Sequence, residues 1–208
     1  MDPGKPNLNE ATADVLCEFL EVALHQILYI RKLYPAGIFE KCCKYNIPVQ
    51  MSQHPEVNKY IKDTILGIKP LLSKDEVHGV TVVILNSSNK PIERFVFEIS
   101  SLMKKSISGD EYLFAIEQAF RSFILKINIS DSLLDNITEG CSFAILVYTK
   151  DNAVIGEMEN QQLIQDFPWV EADKCICSME DSKLIPLKSM ENDLFQMQLN
   201  VEEVCVKR

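Results

Sequence analysis

Seven cysteines and three histidines are the residues of this chain best suited to nucleophilic or metal chemistry. Two spacings bring thiols together, Cys42-Cys43 and Cys175-x-Cys177, and a site built from both pairs could bind zinc or exchange disulfides. Neither pair has the C-x-x-C spacing of such sites. A thiol paired with His25, His54 or His78 would make a nucleophilic centre, yet no spacing favours any combination. His25 stands in an apolar helical run with no second ligand at helical spacing, which reads as a packed or half-exposed side chain. Cys17 and Cys141 fall on apolar stretches and read as small core residues. The motifs G-x-G-x-x-G, G-x-x-x-x-G-K-[ST], G-x-S-x-G and H-E-x-x-H do not occur, and seven glycines supply few phosphate-cradling loops. We therefore expect no catalytic residue, no metal and no cofactor. The opposing reading, a thiol or zinc enzyme using Cys42, Cys43, Cys175 and Cys177, is tested by metal analysis with thiol titration.

What must position any site is a chain of 208 residues, 47% hydrophobic, which is enough for one sizeable core and short for two. The net charge of −9 argues against a surface that tracks phosphate backbones, so no direct nucleic-acid binding is expected. Arg31-Lys32, Lys41 with Lys44, and Lys104-Lys105 read as solvated helix ends or loops. No signal peptide or membrane-length segment is visible, which predicts a soluble intracellular protein without a membrane partner and with mostly free thiols. On that basis the N-x-[ST] matches at Asn86, Asn128 and Asn136 are chance.

Asn7 with Glu10, three positions on, has the form of a capping box. Apolar rows at Leu16, Leu20, Ala23, Ile27 and at Val15, Phe19, Val22, Ile30 predict a long, widely buried helix ending before Pro35. Pro35 to Gln50 reads as a loop. A second helix starts at His54-Pro55-Glu56, carries Val57, Ile61, Ile65 and Ile68 inward with Tyr60 flanking, and ends at Pro70. Val80 to Leu85 and Ile92 to Ile99, joined by turn residues Asn86 to Pro91, predict a hairpin. Ser108 with Glu111 caps a third helix to about Ile127, with Tyr112, Ile116, Phe120, Phe123, Ile124 and Ile127 on one face. Leu113, Phe114 and Leu125 spread apolar character around it, the pattern of a central helix. Phe143 to Thr149 is a further buried strand. Mixed strands and helices without βαβ alternation predict an α+β domain with a largely antiparallel sheet.

The tail from Asp151 to Arg208 opens with a polar run of no clear period. It holds the single tryptophan in Asp166-Phe-Pro-Trp169, which is either a core anchor or an interface hot spot. Lys183 to Met190 reads as a short strand in which Pro186 marks an edge or a bulge. Leu194 to Cys205 alternates Phe195, Met197, Leu199 and Val201 with Gln196, Gln198, Asn200 and Glu202, a half-buried strand.

The segments 14–22 (DVLCEFLEV), 29–39 (YIRKLYPAGIF), 45–50 (YNIPVQ), 95–99 (FVFEI), 123–127 (FILKI), 165–173 (QDFPWVEAD) and 184–188 (LIPLK) resemble the HORMA-domain family. Within it they resemble the branch of Mad-two-like accessory subunits of translesion DNA polymerase zeta. The likeness runs in order from about Ala13 to Val204. It implies one HORMA domain over 1–208, with three helices on an antiparallel sheet, a core of about 8–150, and a C-terminal "safety belt" and hairpin over about 151–208. The implied function is a non-catalytic adaptor of DNA damage tolerance and repair. The belt would trap a proline-containing peptide of the polymerase zeta catalytic subunit, and the hairpin would receive the C-terminal domain of Rev-one, a second polymerase. A remodelling AAA+ ATPase would open the belt, and the expected location is the nucleus, with the cytoplasm as a second site. A spindle-checkpoint or meiotic adaptor with other peptide partners is the alternative in the same fold. By resemblance Tyr60, Trp169 and Glu171 belong to the peptide groove, Arg121 to self-association through the central helix, and Leu184, Gln198 and Asn200 to the second-polymerase platform. Two positions depart from the family pattern: Glu171 stands where leucine is usual, and Asn200 where vertebrate members carry tyrosine.

Overall fold

The computed structural model describes residues 8–101, 110–150, 169–179, 181–192 and 195–205. Three long helices, α1 (Leu8–Ile30), α2 (Pro55–Ser73) and α3 (Asp110–Ser130), accompany two sheets and a one-turn helix, α4 (Lys174–Cys177). Both predicted capping boxes, the side chains of Tyr112 and Leu113, Lys104-Lys105, and the tail from Asp151 to Pro168 lie outside the described residues.

The main sheet has five strands, each antiparallel to its neighbours, in the order β5-β3-β4-β7-β6: β3 (Val77–Leu85), β4 (Pro91–Ser101), β5 (Ser142–Thr149), β6 (Ser182–Glu191) and β7 (Phe195–Val204). In the β3–β4 hairpin the Asn86 side chain accepts from the amides of Ser88 and Lys90, and Asn89 turns at φ 57°. The C-terminal hairpin β6–β7 docks on β4, so β7 is an inner strand of the sheet. Its alternation is realised in full: Phe195, Met197, Leu199 and Val201 are all buried in the core. Pro186 lies on the edge strand β6, where the register with β7 shifts between Pro186 and Lys188, so the sequence signal of a proline at an edge or bulge is met on both counts.

The helices cover one face of this sheet. The first apolar row of α1 is buried, the second is buried at Phe19 and Val22 and partly buried at Val15 and Ile30, and Phe19 stacks on Phe120 of α3 with ring centroids 4.3 Å apart. The same ring meets Phe97 and Phe123 edge-on, and Phe120 stacks on Phe195, so one aromatic cluster joins α1, α3, β4 and β7. α2 starts with Pro55 at its first turn, as the sequence indicated. It runs through Pro70 to Ser73, because a proline so near the end removes only one late hydrogen bond. α1 stops at Ile30, four residues before Tyr34, and Lys32 follows at φ 54°.

Two expectations are overturned. The loop assigned to Pro35–Gln50 is a 3-10 turn followed by a hairpin of β1 (Phe39–Lys44) and β2 (Ile47–Ser52). Its two-residue turn, Tyr45-Asn46, has φ of 51° and 56° at consecutive positions, the requirement of a type I′ turn. Arg31 is not solvated: it is 2% exposed, and its guanidinium binds both carboxylate oxygens of Glu93, the Asp131 carboxylate and the Asp135 carbonyl.

Candidate peptide groove and C-terminal hairpin

β5 forms one edge of the sheet, and no described strand pairs its outer side. The backbone amide of Ile145 faces the phenol of Tyr60, a residue of α2. That contact shows that the Ile145 amide points away from β3, and Phe143 and Val147 share its parity. The edge therefore offers a ladder to an incoming strand, with the Tyr60 oxygen filling a position that a strand carbonyl would take. The ring of Tyr60 packs edge-to-face on Phe143, centroids 5.6 Å apart, and is 36% exposed. Burial pushes the Tyr60 phenol above its ordinary range, against the opposing pull of the Ile145 amide, so it stays protonated at neutral pH.

Trp169, in the C-terminal segment, packs on the same helix. Its indole lies flat against Gly67 of α2: a Cβ built on that glycine would stand 3.0 Å from the indole nitrogen and 3.1 Å from Cζ2. A helix-interior glycine costs about 1 kcal/mol relative to alanine. The close approach of an indole accounts for its presence here. Trp169 is half-buried and packs on the core, while Val170 (84% exposed) and Glu171 face solvent. Tyr60 of α2 thus lies beside the β5 edge, Trp169 packs on Gly67 two turns along the same helix, and Glu171 has no described contact there. Gly67 was missed in the sequence, although an isolated glycine within a helical pattern was a usable signal.

On the opposite edge, Leu184, Gln198 and Asn200 share the outer face of β6–β7, where Leu184 pairs with Glu202, Pro186 with Asn200 and Ser189 with Gln198. Leu184 is 60% exposed, as a docking residue requires. The solvent-facing role expected of Asn200 is corrected: it is 5% exposed, and its carbonyl accepts from Gln198 Nε2 at 3.2 Å. Flanking β6 and β4 cover a short side chain in this inner strand. The hairpin is also tied to the body by charge. Glu203 accepts from the Asp135 amide at 2.6 Å and lies opposite Glu93, the partner of Arg31. Burial raises the Glu93 carboxyl, and the Arg31 guanidinium works against that rise.

Arg121, half-buried on α3, begins an i, i+4 row with Leu125 (45% exposed) and Ile129 (51%), and Phe114 is 62% exposed about two turns earlier. The apolar residues that predicted an enclosed central helix leave an uncovered ridge in the single chain.

The thiols do not converge. Cys42 lies on β1 and Cys175 and Cys177 on α4, and the described residues hold no group of three His, Cys, Asp or Glu side chains arranged for a metal. Burial pushes Cys17 up to about 12, so it stays a thiol. Burial lowers His25 to about 4, and its Nδ1 accepts from the Ser52 amide at 3.2 Å, a packed neutral histidine.

The HORMA domain family matches residues 13–150 of this sequence. The chain belongs to the HORMA-domain family. Among HORMA relatives, the human mitotic spindle assembly checkpoint protein MAD2B is 53% identical over 197 residues, covering 95% of this chain and 93% of its own. The Arabidopsis thaliana DNA polymerase zeta processivity subunit is 30% identical over 187 residues, covering 90% and 83%. The resemblance seen in the sequence is therefore sound at the level of the branch. A HORMA chain of the mitotic checkpoint complex superposes with a TM-score of 0.79 at 22% identity, covering 94% of this chain and 99% of the other. HTP-2 of C. elegans bound to a HIM-3 closure motif gives 0.73 at 7% identity, covering 94% and 91%. These likenesses carry the fold, and the relatives make this HORMA domain an adaptor.

Proposed function

We propose that this HORMA domain captures an extended, proline-containing peptide of the polymerase zeta catalytic subunit as an added strand on β5, between the Tyr60–Phe143 wall and the belt segment anchored by Trp169. The observation that carries this reading is the outer side of β5, which no described strand pairs, while the C-terminal hairpin occupies the other edge of the sheet. Strand addition supplies main-chain hydrogen bonds, and a belt across the peptide slows its escape, so affinity is expressed in the off-rate. The outer face of β6–β7, with exposed Leu184 beside Gln198, receives the C-terminal domain of a Rev-one type polymerase. A remodelling AAA+ ATPase opens the belt, and the Arg121, Leu125 and Ile129 ridge pairs two copies. The adaptor has no catalysis of its own and works in DNA damage tolerance, in the nucleus with a cytoplasmic pool.

Trp169→Ala and Tyr60→Ala are each expected to weaken peptide capture, read by fluorescence anisotropy of the labelled polymerase peptide, while the thermal unfolding transition is kept. Unchanged affinity in both variants overturns the assignment. Truncation at Asp151 is a poorer test, since it also removes the four core side chains of β7. The relatives' names also include the spindle checkpoint, which favours a second reading. Selective capture of a checkpoint or meiotic peptide over the polymerase peptide would establish that alternative.

A further inference from the structure

The face of the sheet opposite the helices, which also carries Leu184, Gln198 and Asn200, holds a polar cluster centred on Arg94. Arg94 of β4 is 7% exposed and donates through Nη1 to Glu202 of β7 at 2.8 Å and through Nη2 to the Tyr148 hydroxyl of β5 at 2.5 Å. Its guanidinium also stands 5.9 Å from the centre of the Tyr148 ring. The Tyr148 hydroxyl, already an acceptor, donates its own proton to the Cys177 carbonyl at 3.3 Å. Cys177 is the last residue of α4, 29 positions along the chain. One four-residue turn cannot hold itself in place, since helix nucleation is unfavourable without outside contacts. Its position must come from what it touches, and Tyr148 reaches it from the body of the sheet.

We infer that Tyr148 is the latch of the belt: its phenol, held and polarised by Arg94, fixes the Cys177 carbonyl against the sheet, and belt opening requires this hydrogen bond to break. The latch completes a two-point attachment. Trp169 pins the belt on the helix side of the sheet, against Gly67, and Tyr148 pins it on the other side, so the segment between them straddles the β5 edge. A charged donor strengthens the hydroxyl as a donor in turn, because hydrogen bonds in a chain polarise one another. Arg94 is itself fixed by Glu202, so the latch is braced by the C-terminal hairpin. The inference rests on the peptide-trapping reading for its consequence and on the Tyr148 geometry alone for its mechanism.

The test is Tyr148→Phe in the full chain, which keeps the ring over Arg94 and removes only the hydroxyl. Three readouts are taken: acrylamide quenching of the single tryptophan without peptide, hydrogen exchange at the Ile176 and Cys177 amides against the amides of β3, and the dissociation rate of the polymerase peptide. One lost hydrogen bond predicts release about fivefold faster, greater quenching and faster exchange at Ile176 and Cys177, with β3 protection unchanged. Unchanged quenching and unchanged Ile176 and Cys177 exchange overturn the latch. So does an equal loss of protection in β3, which would make the hydroxyl a general stabiliser. If the belt loosens as expected while neither protein captures the peptide, the latch stands and the peptide reading falls.

Discussion

Gly67→Ala pits two local effects of opposite sign against each other. The new methyl would stand 3.0, 3.1 and 3.3 Å from three indole atoms of Trp169. Carbon contacts settle at about 3.5–4.0 Å, so the indole must retreat by roughly half an ångström, and overpacking of this kind costs about 1–3 kcal/mol. The same substitution relieves a helix-interior glycine and gains about 1 kcal/mol for α2 whatever the belt is doing. The clash exists only when Trp169 is docked. The docked belt should therefore lose about five- to a hundredfold in occupancy relative to the undocked belt, taking about 1.4 kcal/mol per factor of ten. The thermal transition should hold or rise. Because the chain has one tryptophan, its emission reads docking directly: the variant should shift to the red and be quenched more by acrylamide. Emission and quenching identical to the parent protein would refute the claim that Gly67 is present for the indole.

Two further outcomes follow from the buried charges. Arg31→Met leaves the Glu93 carboxylate buried without its guanidinium and should cost about 3–5 kcal/mol in urea unfolding, with much of the loss recovered by adding Glu93→Gln; a loss under about 1 kcal/mol contradicts the network described. His25 is lowered from 6.5 to about 4 by burial, so the unfolded chain binds a proton there more readily than the folded one. Its contribution is present above pH 6.5 and is lost as pH falls toward 4, an interval worth roughly 3 kcal/mol; His25→Asn, whose side-chain carbonyl can accept the Ser52 amide, should flatten that part of the stability profile.

What could be read in advance depended on range. The period-two alternation of Phe195 to Val201 and the two apolar rows of α1 are local signals of one-sided burial, and both faces came out as the pattern required. The β1–β2 hairpin was hidden because Pro48 interrupts its second strand and a tyrosine occupies the first position of a turn that usually advertises itself with asparagine and glycine. Arg31 looked like a solvated helix end because its partners lie 62 to 104 residues away, and no spacing rule connects them. Asn200 alternates with core residues and so belongs on the outer face, yet that face is itself covered at an inner strand. Tyr60 and Trp169 entered through family resemblance; the packing of Trp169 on Gly67 of the helix that carries Tyr60 is a tertiary fact that local pattern does not encode.

The outer side of β5, which no described strand pairs, also bears on how this protein survives at high concentration. A β-branched, apolar strand with outward-pointing amides is a template for copy-to-copy pairing, the start of fibrillar aggregation. The Tyr60 phenol blunts it by occupying the Ile145 amide from the side. A side-chain cap of this sort blocks another copy of the same strand while remaining easy for a dedicated ligand to displace. The groove wall then serves solubility whenever the domain stands empty, and substitutions at Tyr60 should be judged by turbidity as well as by binding.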